Sequence, residues 1–282
     1  MRVSILLARR PLQTDAVYCK VSLMTRRTFS LAASGLALTG PLSAAAPTGR
    51  SILELRWLHM RTNTENQMQR TTEFLRAAAP ALKRSGVSQL GFFGSVIADE
   101  SPFILALAAF PSLAAMEAAR EKEAADKDYI QARDAYNAAP GLGYERMESS
   151  LLRCFEGMPQ VDPPPTDGTR APRVFELRMY ESNNSFTLAR KIKMFNEGEI
   201  GIFKRLGMRP VFYAETLIGS RMPNLVYMLS FDNLAAREKL WQAFGADPEW
   251  QKLRVQPGFS DTENVSNISN SILRPLPFSD IR

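Results

Sequence analysis

A strand-like segment that the chain contains twice limits its fold more than any other feature of the sequence. Val-Phe-Glu-Leu-Arg-Met-Tyr at 174–180 repeats the pattern of Ile-Leu-Glu-Leu-Arg-Trp-Leu at 52–58. Apolar side chains alternate with other types in both copies, and this period of two is typical of a strand with two different faces. Each copy is followed by a segment with helical periodicity, so each is predicted to begin a domain.

The similarity between the two halves continues beyond this strand. A shift of 121 positions matches 82–87 with 203–208, 110–115 with 231–236, 126–129 with 247–250 and 150–153 with 271–274. One offset that serves four separated places indicates a duplicated domain and not a solenoid unit. We therefore predict a leader at 1–46, a first domain at 51–155, a Pro-rich linker at 156–172, a second domain at 173–275 and a tail at 276–282.

Both halves are predicted to have the element order β-α-β-β-α-β. The elements fall at 52–61, 65–84, 87–97, 103–110, 113–137 and 146–155, and again at 173–181, 186–206, 208–217, 225–231, 233–244 and 263–273. This order is the ferredoxin-like plan, an α+β fold in which helices cover one face of a four-stranded sheet. The other face needs a cover, and we predict that the two sheets pair through these faces into one eight-stranded barrel within the chain.

The face that we expect to line the barrel carries the candidate ligand-binding residues. They are Glu54, Arg56, Glu176, Arg178, Tyr180, Tyr213, Glu215 and Tyr227. The arginines offer forked donors for an acidic or hydroxylated ligand, but Glu and Arg on one strand are also explained as a structural ion pair. The tyrosines are equally explained as half-buried strand aromatics. The first half has Phe92, Gly94 and Ala106 at matching positions, so a polar wall is expected from the second half.

Other kinds of site find little support in the sequence. His59 is the single histidine and has no histidine or cysteine partner, so we predict no metal and no cofactor. Cys154 lies in an apolar run and is predicted to be a buried strand residue. The charged residues of 113–137, among them Arg120 and Glu123, indicate a solvated helix face. No catalytic triad, phosphate loop or nucleophile elbow is present, and the catalytic residues stay unknown.

The net charge of +6 belongs to the leader and not to the domains. Residues 1–46 contain six basic side chains and one acid, which leaves 29 basic and 28 acidic residues elsewhere. Without a basic face, we expect no nucleic-acid partner. Arg26 and Arg27, before a short apolar run and small residues at 41–46, predict a twin-arginine signal that starts at Met24. We therefore expect a periplasmic or secreted protein with no stable membrane insertion after signal removal.

Four features resemble the NIPSNAP family. They are the Glu-Leu-Arg strand, the Lys-Arg-x-Gly helix end at 204–207, the helix after Phe231 and the Asp-Pro-Glu-Trp turn at 247–250, which the first half replaces by Asp-Lys-Asp-Tyr. The resemblance covers nearly all of 51–275 and implies two tandem domains of the dimeric α/β-barrel superfamily. It implies no agreed catalytic residues, and the wider superfamily includes small monooxygenases, haem-handling enzymes and ligand-binding proteins, so the fold leaves the chemistry open.

Three hypotheses for the function follow. The first is an exported tandem-domain NIPSNAP-like protein, non-catalytic or of uncharacterised biochemical role, that binds a small ligand or a protein partner. The second is a cofactor-independent monooxygenase that acts on a small aromatic substrate inside the barrel. The third is structural association through the outer surface of the barrel, with a homo-oligomer left open. An enzyme requires a continuous cavity on which the candidate residues converge, whereas a binding or assembly module tolerates a filled barrel.

Overall fold

The computed structural model describes residues 49–62, 66–166 and 171–282, so the predicted leader, including Met24, lies outside the described residues. The first half forms β1 (Ile52–His59), α1 (Gln67–Ser85), β2 (Gln89–Ile97), β3 (Phe103–Phe110), α2 (Leu113–Ala125), α3 (Lys127–Ala138) and β4 (Arg146–Cys154). The second half forms β5 (Val174–Glu181), α4 (Ser185–Met194), a π-helical turn (Phe195–Glu199), α5 (Ile200–Arg205), β6 (Arg209–Ile218), β7 (Asn224–Phe231), α6 (Leu234–Ala246), α7 (Pro248–Leu253), α8 (Asp261–Asn264) and β8 (Asn267–Pro275). None of these helices has the length and apolar character needed to cross a bilayer.

Three details differ from the sequence prediction. The helix predicted at 113–137 is two helices, because the Asp126 carboxylate accepts hydrogen bonds from two backbone N–H groups and caps α3. The helix predicted at 186–206 is interrupted by the π-helical turn, which inserts a wider ring of backbone hydrogen bonds. The last strand begins at Asn267 and not at 263, because the Asn264 amide binds two carbonyls of the preceding loop and holds α8 in place.

The eight strands close into one barrel in the order β1-β3-β2-β8-β5-β7-β6-β4, with β4 beside β1. All neighbouring strands are antiparallel, and the two halves join where β2 meets β8 and where β4 meets β6. Closure gives each sheet edge of one half a hydrogen-bonded partner in the other half. The predicted α+β fold, with two ferredoxin-like units that share one intrachain barrel, is confirmed.

The inside of the barrel is packed with apolar side chains. Leu55 of β1 and Phe175 of β5 point inward and are fully buried. Phe93 of β2 meets Phe175 across the joint between the halves, with ring centroids 5.0 Å apart. Cys154 belongs to the same cluster, as predicted, and burial raises the pKa of its thiol to about 12. A ligand site in the centre of the barrel, which the sequence analysis expected, is therefore not what the fold provides.

The prediction that the Glu-Leu-Arg face lines the barrel is wrong. The Glu and Arg side chains of both copies point outward, toward the helices, and the alternate residues of the same strands fill the barrel. Helices can bring compensating charges only to the outer face, where Arg120 of α2 reaches Glu54 and Arg237 of α6 reaches Glu176. A charge that is buried without such a partner is strongly unfavourable, so the apolar face turns inward.

Each half ends in a segment that packs back onto the barrel. After β4, Val161 enters the barrel core, and the backbone N–H of Asp162 donates to the Val211 carbonyl at 2.9 Å. After β8, Ile281 enters the same core, and the Ser279 hydroxyl accepts a hydrogen bond from a backbone N–H of β2 at 2.9 Å. The described parts of the predicted linker and tail therefore belong to the packed structure.

Candidate functional site

In the second half, all the candidate residues except Glu215 gather between the sheet and the helices. Glu176 is fully buried and accepts hydrogen bonds from Arg178 Nη1 at 2.9 Å and from Trp241 Nε1 at 2.7 Å. Arg237 of α6 adds a bidentate contact to the same carboxylate, at 2.6 and 2.9 Å. These charge-assisted and indole donors satisfy the carboxylate in a place that water does not reach.

This arrangement decides the ionisation of Glu176. Burial by itself would raise the pKa of the carboxyl group, but the hydrogen bond of Arg237 and the charge of Arg178 outweigh it, and the pKa lies below its ordinary value. One of the two explanations drawn from the sequence, the structural ion pair, is therefore present here. Arg237 is an additional member that the strand pattern alone did not indicate.

The tyrosine hydroxyls continue this network. Arg178 Nη2 donates to the Tyr180 hydroxyl at 3.1 Å, and the hydroxyls of Tyr180 and Tyr227 lie 2.9 Å apart. Tyr213 stacks on Tyr227 at 5.5 Å, but its own buried hydroxyl makes no hydrogen bond with the described residues. Burial raises the pKa of the Tyr213 and Tyr227 hydroxyls well above the ordinary value. Glu215 is half-buried on β6 and, within the described ranges, forms no hydrogen bond or ion pair with the other candidates.

Aromatic rings fill the remaining space in the second half. The centroids of Phe195 and Phe203 lie 5.4 and 6.3 Å from that of Tyr227. Phe203 also packs against Trp241 at 5.6 Å and Phe244 at 4.6 Å. The candidate residues of the second half are thus part of a packed core. The expectation that this half supplies the wall of a pocket is wrong, because its own large side chains occupy the space.

The first half has a cavity in the equivalent place. It lies between the sheet and helices α1, α2 and α3 and has a volume of about 240 Å³. Ala106 and Ala108 of β3 lie opposite Arg56 and Glu54, in the register positions that Tyr227 and Leu229 of β7 occupy in the second half. The small side chains leave the space open. These two alanines are visible in the sequence and are the signal that could have located the cavity.

The cavity has a polar wall built around Glu54. Its carboxylate lies 2.8 Å from Arg56 Nη2 and also pairs with Arg120 of α2, which binds Glu123 in turn. Two carboxylates and two guanidinium groups therefore balance one another. The prediction of a solvated helix face for Arg120 and Glu123 is wrong, since Glu123 is only 8% exposed. Helix α2 lies over the sheet here and turns these side chains toward it.

A second wall comes from α1 and α3. Thr71 Oγ1 lies 2.9 Å from the Tyr136 hydroxyl, and Phe74 stacks on the Tyr136 ring at 4.7 Å. Tyr129 also lines the cavity, and burial together with a neighbouring carboxylate raises its pKa to about 12. Sequence reasoning missed this wall because α3 has 12 residues and its counterpart α7 has six. Comparison of the two halves therefore could not indicate which residues of α3 contact the cavity.

His59 ends β1 outside this cavity. Its ring nitrogens lie 3.4 Å from Glu100 and Glu148, and burial together with the charge of Arg146 lowers its pKa. Across the described part of the chain, no three His, Cys, Asp or Glu side chains come together as a metal site requires.

Comparison with known proteins places these observations in a family. The NIPSNAP family model matches residues 53–157 and 175–280. A candidate monooxygenase from Fusobacterium nucleatum has a similar solved structure, with a TM-score of 0.52 and 6% identity over 81% of this chain and 94% of that chain. A NIPSNAP family protein from Agrobacterium tumefaciens is 22% identical over 43% of this chain and 100% of that chain, with a TM-score of 0.37.

A further solved structure, an uncharacterized NIPSNAP-like domain protein from Burkholderia xenovorans, is 23% identical over 38% of this chain and 88% of that chain, with a TM-score of 0.34. The comparison with curated proteins found no match. The two segments that the family model matches begin in β1 and β5 and run past β4 and β8, so both halves carry the same domain. The chain therefore belongs to the NIPSNAP family and contains the family domain twice.

Proposed function

We propose that this protein binds a small, mostly apolar ligand in the cavity of its first half. The observation that supports this proposal is a cavity of about 240 Å³ at a place where the second half is filled by its own side chains. A dry cavity of about 150 Å³ already holds benzene, so this one has room for a ring with a substituent. Its walls combine apolar surface with a few polar groups, as small-molecule sites generally do.

The chemistry of the walls favours binding over catalysis. A general base needs a free acceptor next to the substrate, but Glu54 and Glu123 are both engaged by Arg120. Burial raises the pKa of Tyr129 to about 12 and also raises that of Tyr136, so both phenols stay protonated at neutral pH. These groups are suited to orienting a ligand through hydrogen bonds and not to removing a proton from it.

The variant Ala108→Leu tests the site. Leucine is the residue that β7 carries in the equivalent position, Leu229, so the change fills the cavity with a side chain that this fold already accommodates. A screen of one-ring compounds by ligand-observed NMR should detect binders of the wild-type protein that no longer bind the variant. Ala118→Leu, on the exposed surface of α2, is the matched control and should keep binding. Unchanged binding to the Ala108→Leu variant would place the ligand elsewhere.

A cofactor-independent monooxygenase is the second candidate function. The Fusobacterium nucleatum protein described as a candidate monooxygenase has the same fold, and the cavity in this chain has the size of an aromatic ring. A shared fold does not transfer an activity, so the candidate depends on a direct measurement. Oxygen uptake with electron-rich one-ring compounds, abolished by Ala108→Leu, would support it. If compounds that bind the protein cause no oxygen uptake, those compounds are not substrates of the protein.

We also propose that the protein is exported to the periplasm by the twin-arginine route. The support is the sequence Arg26-Arg27-Thr28-Phe29, followed by a short apolar run and small residues at 41–46. Replacing both arginines by lysine should retain the protein in the cytoplasm. Mass spectrometry of the exported protein should give an N-terminus at or after Ala44, and an N-terminus upstream of it contradicts the predicted cleavage site.

A further inference from the structure

Equivalent positions in the two barrel halves can be compared through the strand register. In the first half Arg56 lies opposite Ala106, which lies opposite Phe92 of β2. In the second half Arg178 lies opposite Tyr227, which lies opposite Tyr213 of β6. The two rows occupy the same place on the sheet, and both face the helices. The side chains that fill these positions in the second half therefore indicate the size and the polar groups of a ligand that the first half could bind.

Two phenol groups fill this space in the second half. The Tyr180 hydroxyl accepts a hydrogen bond from Arg178 Nη2 at 3.1 Å and lies 2.9 Å from the Tyr227 hydroxyl. The two rings meet edge to face with centroids 5.4 Å apart, and the Tyr227 ring stacks on Tyr213 at 5.5 Å. The arginine of the strand thus donates to the Tyr180 hydroxyl, which in turn contacts the Tyr227 hydroxyl, and the Tyr213 ring of β6 supports the Tyr227 ring.

Both phenols are missing from the first half. Leu58 takes the strand position of Tyr180, and Ala106 takes that of Tyr227. The arginine and the supporting ring remain, as Arg56 and Phe92, and both line the cavity. Arg56 donates to Glu54 through Nε and Nη2 and makes no further hydrogen bond with the described residues. Its Nη1 group has no acceptor among the described residues and is the group that we expect to donate to a ligand.

The charges around the cavity favour a neutral ligand. Glu54 and Glu123 pair with Arg56 and Arg120 in the wall, so each of these two guanidinium groups already has a carboxylate partner. Arg133 also lines the cavity, but its side chain is 44% exposed and pairs with Asp134 at 2.9 Å. A hydroxyl group gains a charge-assisted hydrogen bond from a guanidinium without adding a charge that has to be desolvated.

We propose that the cavity takes a neutral, single-ring phenol, whose ring occupies the place corresponding to Tyr227 and whose hydroxyl accepts a hydrogen bond from Arg56. The ring packs on Phe92 as Tyr227 packs on Tyr213. This proposal rests on the proposed ligand-binding function and specifies its ligand class. The second half shows the two interactions on two side chains of its own, since the Tyr180 hydroxyl accepts from Arg178 and the Tyr227 ring packs on Tyr213.

The probe for this proposal is 4-methylphenol, which is the side chain of tyrosine as a free molecule. Toluene has the same ring without the hydroxyl, and 4-methylbenzoate replaces the hydroxyl by a charged group. We expect titration calorimetry to show 4-methylphenol binding at least about tenfold more tightly than toluene, because a hydrogen bond to a charged group is worth that much or more. We expect 4-methylbenzoate to bind more weakly than 4-methylphenol.

Two reciprocal variants complete the test. Ala106→Tyr installs the second-half residue in the first half, and we expect it to abolish the binding of all three probes. Tyr227→Ala opens the equivalent space in the second half, and we expect the number of 4-methylphenol molecules bound to rise from one to two. A thermal unfolding curve shows whether each variant is folded, and Ala106→Tyr carries the test alone if Tyr227→Ala does not fold.

The possible failures are distinguishable. Toluene binding as tightly as 4-methylphenol, with loss of both in Ala106→Tyr, would overturn the phenol proposal and leave the ligand-binding function in place. Preference for 4-methylbenzoate would likewise overturn the proposed neutral class. No binding by any of the one-ring compounds screened, or probe binding that is unaffected by Ala106→Tyr, would overturn the ligand-binding function of this cavity itself.

Discussion

The substitutions Glu176→Gln and Glu54→Gln remove the carboxylate of the Glu-Leu-Arg strand in the second and the first half. The two losses of unfolding free energy can then be compared. Each carboxylate lies on the opening strand of its half and holds one arginine from that strand and one from a helix. The surroundings differ in their access to water. The two arginines around Glu176 are 13% and 23% exposed, whereas those around Glu54 are 34% and 29% exposed.

The expected loss at Glu176 is large, because an amide at this fully buried position leaves two half-buried arginines without their counter-charge. Glu176 is fully buried and accepts hydrogen bonds from Arg178, Arg237 and Trp241. Removing one partner of a buried ion pair costs about 3–5 kcal/mol of unfolding free energy. Water reaches the arginines around Glu54 and screens the change, so we expect a loss of about 1–2 kcal/mol for Glu54→Gln.

Urea unfolding at pH 7, followed by far-UV circular dichroism, measures both losses. Glu156→Gln is the control, since this carboxylate is 79% exposed and lies 3.9 Å from Arg50. We expect the control to change the free energy of unfolding by less than about 0.5 kcal/mol. Equal losses for Glu176→Gln and Glu54→Gln, or a loss below about 1 kcal/mol at Glu176, would refute the reasoning that burial sets the strength of this motif.

The pH dependence gives an independent check of the same interaction. The pKa of Glu176 is lower in the folded protein than in the unfolded chain, where it is about 4.3. Its contribution is therefore present above about pH 4.3 and is lost as the pH falls through the folded-state pKa. We expect the stability difference between wild type and Glu176→Gln to shrink in this acidic range. A constant difference from pH 7 down to acid unfolding would contradict the assigned ionisation.

Three further predictions concern other buried groups. Lys191 is fully buried between Glu199 at 3.2 Å and Asp261 at 2.9 Å, so Lys191→Met should cost about 3 kcal/mol in urea unfolding, and adding Glu199→Gln should restore part of that loss. Cys154, in protein that lacks residues 1–46, should not react with a thiol reagent at pH 8 until urea unfolds the barrel, since its pKa is raised to about 12; labelling at the rate of a free thiol would contradict its burial. Phe175→Ala should cost about 3–5 kcal/mol because the side chain is fully buried in the barrel, and a loss below about 1 kcal/mol would mean that the barrel interior is not the packed core of this protein.

Patterns in the sequence were sufficient to predict the order of the strands and of the main helical segments, and the closure of the strands into a barrel. The alternation at 52–58 and 174–180 and the helical spacing between strands are short-range features, and the offset of 121 or 122 positions shows that they occur twice. They did not show which face of the strands points inward. Both faces of the strands are covered in this protein, one by strands across the barrel and the other by helices. The alternation of side chains is therefore the same whichever face points into the barrel.

The candidate residues illustrate the same limit. Glu54, Arg56, Glu176 and Arg178 were identified from the repeated strand, and their pairing with each other was one of the predicted alternatives. Their helix-borne partners were not identified. Arg120 lies 66 residues from Glu54 in the chain, and a periodicity argument about one helix does not indicate which side chains another element will meet.

By itself, the sequence determined that this chain contains two copies of one α+β unit, because an offset of 121 or 122 positions relates strands, helix ends and turns throughout the two halves. Only the tertiary structure decided that one copy is filled and the other holds a cavity. Ala106 and Tyr227 are both acceptable in a strand, and each satisfies the same local pattern. Whether the space above them is occupied depends on the side chains that α1, α3 and α6 bring to the sheet. Whether these side chains fill that space is decided only when these distant elements pack together.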